Sequence, residues 1–159
     1  MDWQQVMRMA LDEASWAAKV GDVPVGAVLL DAKGAVLAEN HNRREVEHDP
    51  TAHAEILVLR EAAHRLGGWR VVGGTLVVTL EPCAMCAGAS VLARIDRIVM
   101  ATLDPKAGAI ESVYQLARDS RFNHQIEIVS GVLADEAQAQ LTQFFQTRRE
   151  YHKMTRRGV

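Results

Sequence analysis

Two short segments of this chain hold the side chains that can do chemistry: Thr51-Ala52-His53-Ala54-Glu55 and Glu81-Pro82-Cys83-Ala84-Met85-Cys86. They offer one imidazole and two thiolates to a metal, and a carboxylate that need not be a ligand. Zinc is the cation this donor set suits. A structural zinc is usually closed by four protein ligands, whereas three leave one coordination position for water, the arrangement of a catalytic site. Residues two apart on a helix point about 200° away from each other, so His53 and Glu55 cannot share a lateral face. They can converge at a helix end. Zinc in front of two helix N-termini is within reach of His53, Cys83 and Cys86, and the helix dipoles there favour thiolate over thiol.

Other readings use some of the same residues. A Cys-x-x-Cys pair alone is often a redox motif, which would leave His53 and Glu55 without a role. A closed structural zinc would need a fourth ligand, for which His41, His48, His64, His124 and His152 are available.

The periodicity of the chain predicts the elements that must hold these groups. Trp3, Val6, Met7, Ala10, Ala14 and Ala17 mark an amphipathic helix ending near Gly21. Val25–Leu30 and Ala35–Glu39 read as a hairpin around Asp31-Ala32-Lys33-Gly34. A polar stretch leads to a helix starting near Thr51, with Asp49 or Thr51 as N-cap and Gly67-Gly68 at its end. Thr75–Leu80 is a strand, Cys83 to about Arg94 a helix of small residues, and Arg97–Leu103 a strand. A weak helical stretch, Ser112–Ala117, a strand, Gln125–Val129, and a helix from Asp135 to about Lys153 complete the order. This predicts a three-layer α/β/α fold, a five-stranded mixed sheet with helices on both faces, in a single domain over residues 1–159.

At 159 residues and 48% apolar, the chain is long enough for one substantial core. The first ten residues carry Asp2 and Arg8, and the longest apolar run, Val23–Leu30, contains Pro24 and Gly26, so neither a secretory signal nor a membrane span is expected. The two cysteines are too close in sequence for a useful disulfide and are better read as ligands in a cytoplasmic protein. The net charge of -2 hides an asymmetry. Arg148, Arg149, Lys153, Arg156 and Arg157 face only Glu150 in the last thirteen residues, so this tail is basic and the remainder acidic. Such a tail can approach phosphates, and it can equally be a solvated helix end whose cations suit the dipole.

With these residues in place, the chain resembles the cytidine/deoxycytidylate deaminase superfamily, in particular its bacterial tRNA adenosine deaminases. The shared features are Pro24-Val25-Gly26-Ala27, His53-Ala54-Glu55 and Pro82-Cys83-Ala84-Met85-Cys86, the His-x-Glu and Pro-Cys-x-x-Cys signature of zinc deaminases. Nearer to the tRNA enzymes are Asn42, Asp49-Pro50-Thr51-Ala52, Ala87-Gly88-Ala89, Arg94-Ile95, Asp104-Pro105-Lys106-Ala107-Gly108-Ala109, Asn123-His124, and Phe144-Phe145 with Arg148-Arg149. The resemblance implies one Zn2+ per subunit, Glu55 as proton shuttle, and hydrolysis of a wobble adenosine in a tRNA anticodon stem-loop to inosine by a cytoplasmic homodimer. It further implies that Asn42 holds the flipped nucleoside and the Ala54 backbone reads its base. Asp104, Lys106 and Asn123 would meet neighbouring nucleotides, and Phe144, Phe145, Arg148 and Arg149 would shape the RNA surface. Two alternatives stay open for these residues: Asp104 can cap its own turn, and the Phe pair can be core or dimer contacts. Ile110-Glu111-Ser112 departs from the family pattern and puts a negative charge near the expected phosphate path. The competing functions are a guanine, cytosine or nucleoside deaminase acting on a small molecule, and a zinc-stabilised RNA-binding module without turnover.

Overall fold

The computed structural model describes residues 1–158. In chain order the elements are α1 (Trp3–Lys19), β1 (Gly26–Leu30), β2 (Val36–His41), α2 (Arg44–Glu47), α3 (Ala54–Leu66), β3 (Thr75–Leu80), α4 (Ala84–Leu92), β4 (Arg97–Thr102), a 3-10 turn (Leu116–Arg118), β5 (Glu127–Val129) and α5 (Ala134–Arg157). The strands form one sheet in the order β2-β1-β3-β4-β5. β1 is antiparallel to β2 and to β3, whereas β3, β4 and β5 are parallel, so the sheet is mixed as expected.

The period-two alternation of strand side chains divides the core into two layers. Ala27, Leu29, Leu76, Val78, Ile98 and Met100 pack with Val58, Leu59 and Ala62 of α3 and Ala87 and Val91 of α4. Val28, Leu30, Val77, Val99 and Ala101 face Val6, Met7, Ala10 and Leu11 of α1 and Ala137 of α5. Helices therefore cover both faces, and β1, buried at every position, lies beside the central strand β3. The hairpin forms as its turn residues predict. Asp31 Oδ1 accepts from the N–H groups of Lys33 and Ala35, and Gly34 takes φ +87, a conformation glycine adopts without penalty.

Several boundaries differ from the sequence expectation. The helix expected from Thr51 begins at Ala54, with His53 as N-cap, because Asp49 spends its side chain on a local turn, accepting from Thr51 N–H and Thr51 Oγ1. The polar stretch before it contains the short helix α2, which hydrophobic periodicity could not mark because none of its residues is buried. Ser112–Ala117 is mostly turn, since Ser112 N–H and Oγ–H go to Glu81 and not into a helix. α5 runs to Arg157, farther than its apolar stripe, with only Ala137 and Leu141 buried.

α1 lies directly on the start of β1. A Cβ at Gly26 would collide with the Ala10 carbonyl and the Ala14 backbone nitrogen of α1. Gly26→Ala is therefore expected to cost about 3 kcal/mol by forcing the helix off the sheet, read as a lowered urea midpoint at unchanged m-value.

Candidate functional site

Two helix starts meet beyond the end of β3. From Leu80 the chain turns through Glu81 and Pro82 into α4, with Cys83 at the N-cap and Cys86 in the first turn. Opposite, His53 is the N-cap of α3 and Glu55 lies in its first turn. Neither His53 nor Cys83 spends its side chain on capping its helix. The Ala54 N–H is satisfied instead by Asn42 Oδ1 at 3.0 Å. The imidazole and the thiols are thus left for a metal.

Their spacing fits zinc. His53 Nδ1 lies 3.6 Å from Cys83 Sγ and 3.6 Å from Cys86 Sγ, and the three donor atoms lie within 4.8 Å of one another. Tetrahedral coordination, with Zn–N near 2.0–2.1 Å and Zn–S near 2.3 Å, requires an N···S separation of about 3.6 Å. Among the described residues no other histidine joins the group. His41 faces Glu13 and His124 the Ile95 carbonyl, so a closed four-ligand site does not form from them.

The protein's own charges show what a cation would change. A hydrogen bond from Cys86, reinforced by one from His53, holds the Cys83 thiol down at about 3. The same Cys86–Cys83 hydrogen bond, with burial, pushes Cys86 up, and the bond to Cys83 raises His53. A divalent cation bound here must displace whatever protons the two sulfurs carry. Glu55 is only 4% exposed, and burial pushes its carboxyl up to about 7.

The centre opens into a cleft of about 730 Å³. Val23, Val25, Leu80, Leu103, Leu141 and Phe145 supply apolar wall, while Asn42, Arg44, Asp104, Lys106, Gln138, Thr142 and Arg149 supply polar groups around His53, Glu55 and Cys83. Most of the expected site residues are therefore brought together, though not all in the expected way. Asn42 is buried and donates from Nδ2 to Val23 O at 3.1 Å while Oδ1 accepts from Ala54. Of the Ala54 backbone groups, the N–H is engaged by Asn42. Asp104 lines the cleft and also caps its own turn, Oδ1 accepting from Lys106 and Ala107 N–H.

α5 splits its two pairs. Phe145 and Arg149 face the cleft, whereas Phe144 lines a separate groove with Ser15, Ala18, Pro24 and Gln140, with the Arg148 guanidinium 5.8 Å from its ring centre. Asn123 is exposed and lies outside the cleft lining. Glu111 turns toward Arg118, 3.8 Å away, so its charge is partly answered locally.

Sequence reasoning missed two residues. Arg44 lines the cleft, anchored by Nε and Nη2 to Oδ1 of the buried Asp22, which also accepts from Val23 and Glu45 N–H. Glu81 is 2% exposed and accepts from the loop that follows β4. The signal for Glu81 was its place directly after a strand of apolar and β-branched residues; Arg44 gave none, because its partner is twenty-two residues away.

Comparison with known proteins agrees with this geometry. Residues 1–102 match the cytidine and deoxycytidylate deaminase zinc-binding region. The chain is 47% identical to the tRNA-specific adenosine deaminase of Bacillus subtilis, over 96% of this chain and 94% of that one. It is 46% identical to the protein of the same name from Haemophilus influenzae, over 95% and 87%. A solved structure from work on A-to-I editing by tRNA:A34 deaminases at the wobble position superimposes with a TM-score of 0.83 at 42% identity, over 86% of this chain and 99% of that one. The ligand spacing, the three-layer fold and these likenesses agree, and the chain belongs to the cytidine and deoxycytidylate deaminase family, on the branch that carries the bacterial proteins named tRNA-specific adenosine deaminase.

Proposed function

We propose that this protein hydrolyses the wobble adenosine of a tRNA anticodon to inosine, releasing ammonia. The observation that carries the reading is a zinc-spaced His53-Cys83-Cys86 centre and a buried Glu55 in one cleft with Lys106 and Arg149. Zinc, when bound by the three ligands, supplies a Lewis acid that lowers the pKa of a coordinated water from 15.7 toward about 7. Glu55 would take a proton from water and deliver it to N1 of the adenine ring as C6 accepts the hydroxide, then take the proton of the new C6 hydroxyl and pass it to the amine, which leaves as ammonia while the C6 carbonyl forms and N1 keeps its hydrogen. Burial raises this carboxyl to about 7 in the metal-free protein, and a bound cation would bring it down toward the ionised form that accepts the first proton.

The remaining residues hold the substrate. Asn42 uses one donor hydrogen and one acceptor lone pair internally, which leaves one of each for a nucleoside in the cleft. Asn42, which ties the Ala54 backbone to the cleft, would hold the nucleoside beside it. A duplex or stacked loop hides C6, so the adenosine must be flipped out, with Phe145 offering an apolar surface and Lys106, Arg149 and Arg44 cations for the flanking phosphates. Asp104, on the cleft wall, would meet a neighbouring nucleotide, and the exposed Asn123 would do so only if the RNA extends beyond the cleft, while Phe144 and Arg148 lie on the other side of α5.

A homodimer in the bacterial cytoplasm completes the reading. Trp69, Val72 and Leu92 are exposed, and Arg94 links two of them, its guanidinium 5.9 Å from the Trp69 ring centre and hydrogen-bonded to the Leu92 carbonyl. An apolar patch of this kind suits a subunit interface. Among the described residues no helix is long and apolar enough to cross a membrane.

The test is a mass assay of products after zinc-loaded protein meets, separately, an anticodon stem-loop with a wobble adenosine, free adenosine, cytidine, cytosine and guanine. Inosine in the stem-loop alone is expected. Conversion of a small molecule alone would transfer the same chemistry to a base or nucleoside deaminase. The split faces of α5 add a further expectation. Arg149→Glu should lower stem-loop affinity and reduce the slope of log K against log salt by about 1 or more, because a phosphate contact releases counterions. Arg148→Glu should change the slope less. Equal effects of the two would contradict the assignment of Arg149 alone to the cleft.

A further inference from the structure

We propose that Glu81 is a positioning residue that locks the loop Asp104–Ser112, which carries Asp104 and Lys106, onto the zinc-bearing turn, so that RNA affinity depends on a carboxylate whose hydrogen bonds go to the loop. The inference rests on the reading of the cleft as an RNA-acting deaminase site.

Glu81 is a buried carboxylate with no cation within salt-bridge distance among the described residues. Its charge is met by five donors from a single loop. Oε1 accepts from Asp104 N–H at 3.0 Å and from Ser112 Oγ–H. Oε2 accepts from Ile110 N–H at 3.1 Å, Glu111 N–H at 2.8 Å and Ser112 N–H at 2.9 Å. The loop backbone comes so close that a Cβ at Gly108 would run into the carboxylate. Next in the chain, Pro82 O accepts from Ala109 N–H at 2.8 Å, and Cys83 follows. One turn of chain thus presents a zinc ligand on one side and organises the RNA-facing loop on the other.

Glutamine is the informative replacement. Its carbonyl can keep the three amides at Oε2, and its NH2 can still donate to Ser112 Oγ, but that NH2 opposes the Asp104 N–H. Glu81→Gln therefore releases chiefly the Asp104 end. In the zinc-loaded full-length protein we expect unchanged zinc content, KM for the wobble-adenosine stem-loop raised about tenfold by loss of a charge-assisted hydrogen bond, kcat changed by less than about threefold, and faster amide exchange at Asp104. Gly108→Ala attacks the same contact from the loop side and should give the same split of KM from kcat if Glu81→Gln does not fold. Unchanged KM and unchanged exchange would overturn the proposal. Loss of zinc from Glu81→Gln would also overturn it, because Glu81 would then serve the metal-binding turn. A wild-type protein that makes no inosine in the stem-loop would instead sink the RNA reading, and exchange at Asp104 would still decide whether Glu81 holds the loop.

Discussion

Glu55→Gln will fold and hold zinc while kcat falls by about 10⁴-fold, the upper range for removing a general acid–base. Glutamine keeps the volume of the buried side chain and one carbonyl oxygen, but it can carry neither the water proton to N1 nor the C6 hydroxyl proton to the leaving amine. Zinc content and stem-loop affinity should match wild type, so the loss will appear in single-turnover rate. A variant retaining a tenth of wild-type turnover would remove Glu55 from the proton path.

The same substitution has a stability consequence whose sign follows from burial. Burial raises the Glu55 carboxyl from 4.5 to about 7, so between these values the folded protein holds a proton that the unfolded chain releases. Stability in zinc-free protein therefore falls as pH rises through this window. Above it the ionised carboxylate carries a penalty on the order of 3 kcal/mol relative to a neutral group. Zinc-free Glu55→Gln lacks this slope, so it should be more stable than zinc-free wild type at pH 8 and show little difference at pH 4. Equal stability at both pH values would show that Glu55 is solvated in the metal-free protein.

How far the sequence carried this account depends on the range of each interaction. The strands were legible because Thr75–Leu80 and Arg97–Thr102 are runs of β-branched and apolar residues buried on both faces, and the hairpin because Asp31 and Gly34 write a local turn. The zinc ligands were legible because Cys83, Cys86 and His53 announce their chemistry by type and spacing. What could not be read were partners distant in sequence. Asn42 satisfies Ala54 from a different segment, and Asp22 fixes Arg44 across the β1–β2 hairpin. Glu81 collects donors twenty-three to thirty-one residues away. The division of Phe144 from Phe145 and Arg148 from Arg149 is implicit in the 100° step of a helix, but which face meets the cleft is set by α5 packing through Ala137 and Leu141.

Removal of one buried ligand should be the most damaging change at the metal centre. Cys86 is fully buried at the first turn of α4, and without a cation its thiol keeps the proton that Cys83 gives up. Zinc uptake must therefore expel a proton, so zinc affinity should rise with pH. In Cys86→Ala only His53 and Cys83 remain, and two ligands do not hold the ion against a chelator. Turnover should drop to background, with less than about 0.1 zinc per chain. Thermal stability should follow by mass action. An ion present at about a thousand times its Kd stabilises by about 4 kcal/mol, which for a chain of this size corresponds to roughly 10 °C in Tm. Zinc-loaded wild type should lose about that much on chelation and regain it on adding zinc. Cys86→Ala should melt near the chelated wild type and ignore added zinc. A Cys86→Ala protein that binds one zinc and turns over would show that the ion is held elsewhere in the chain, and the open three-ligand centre would have to be abandoned.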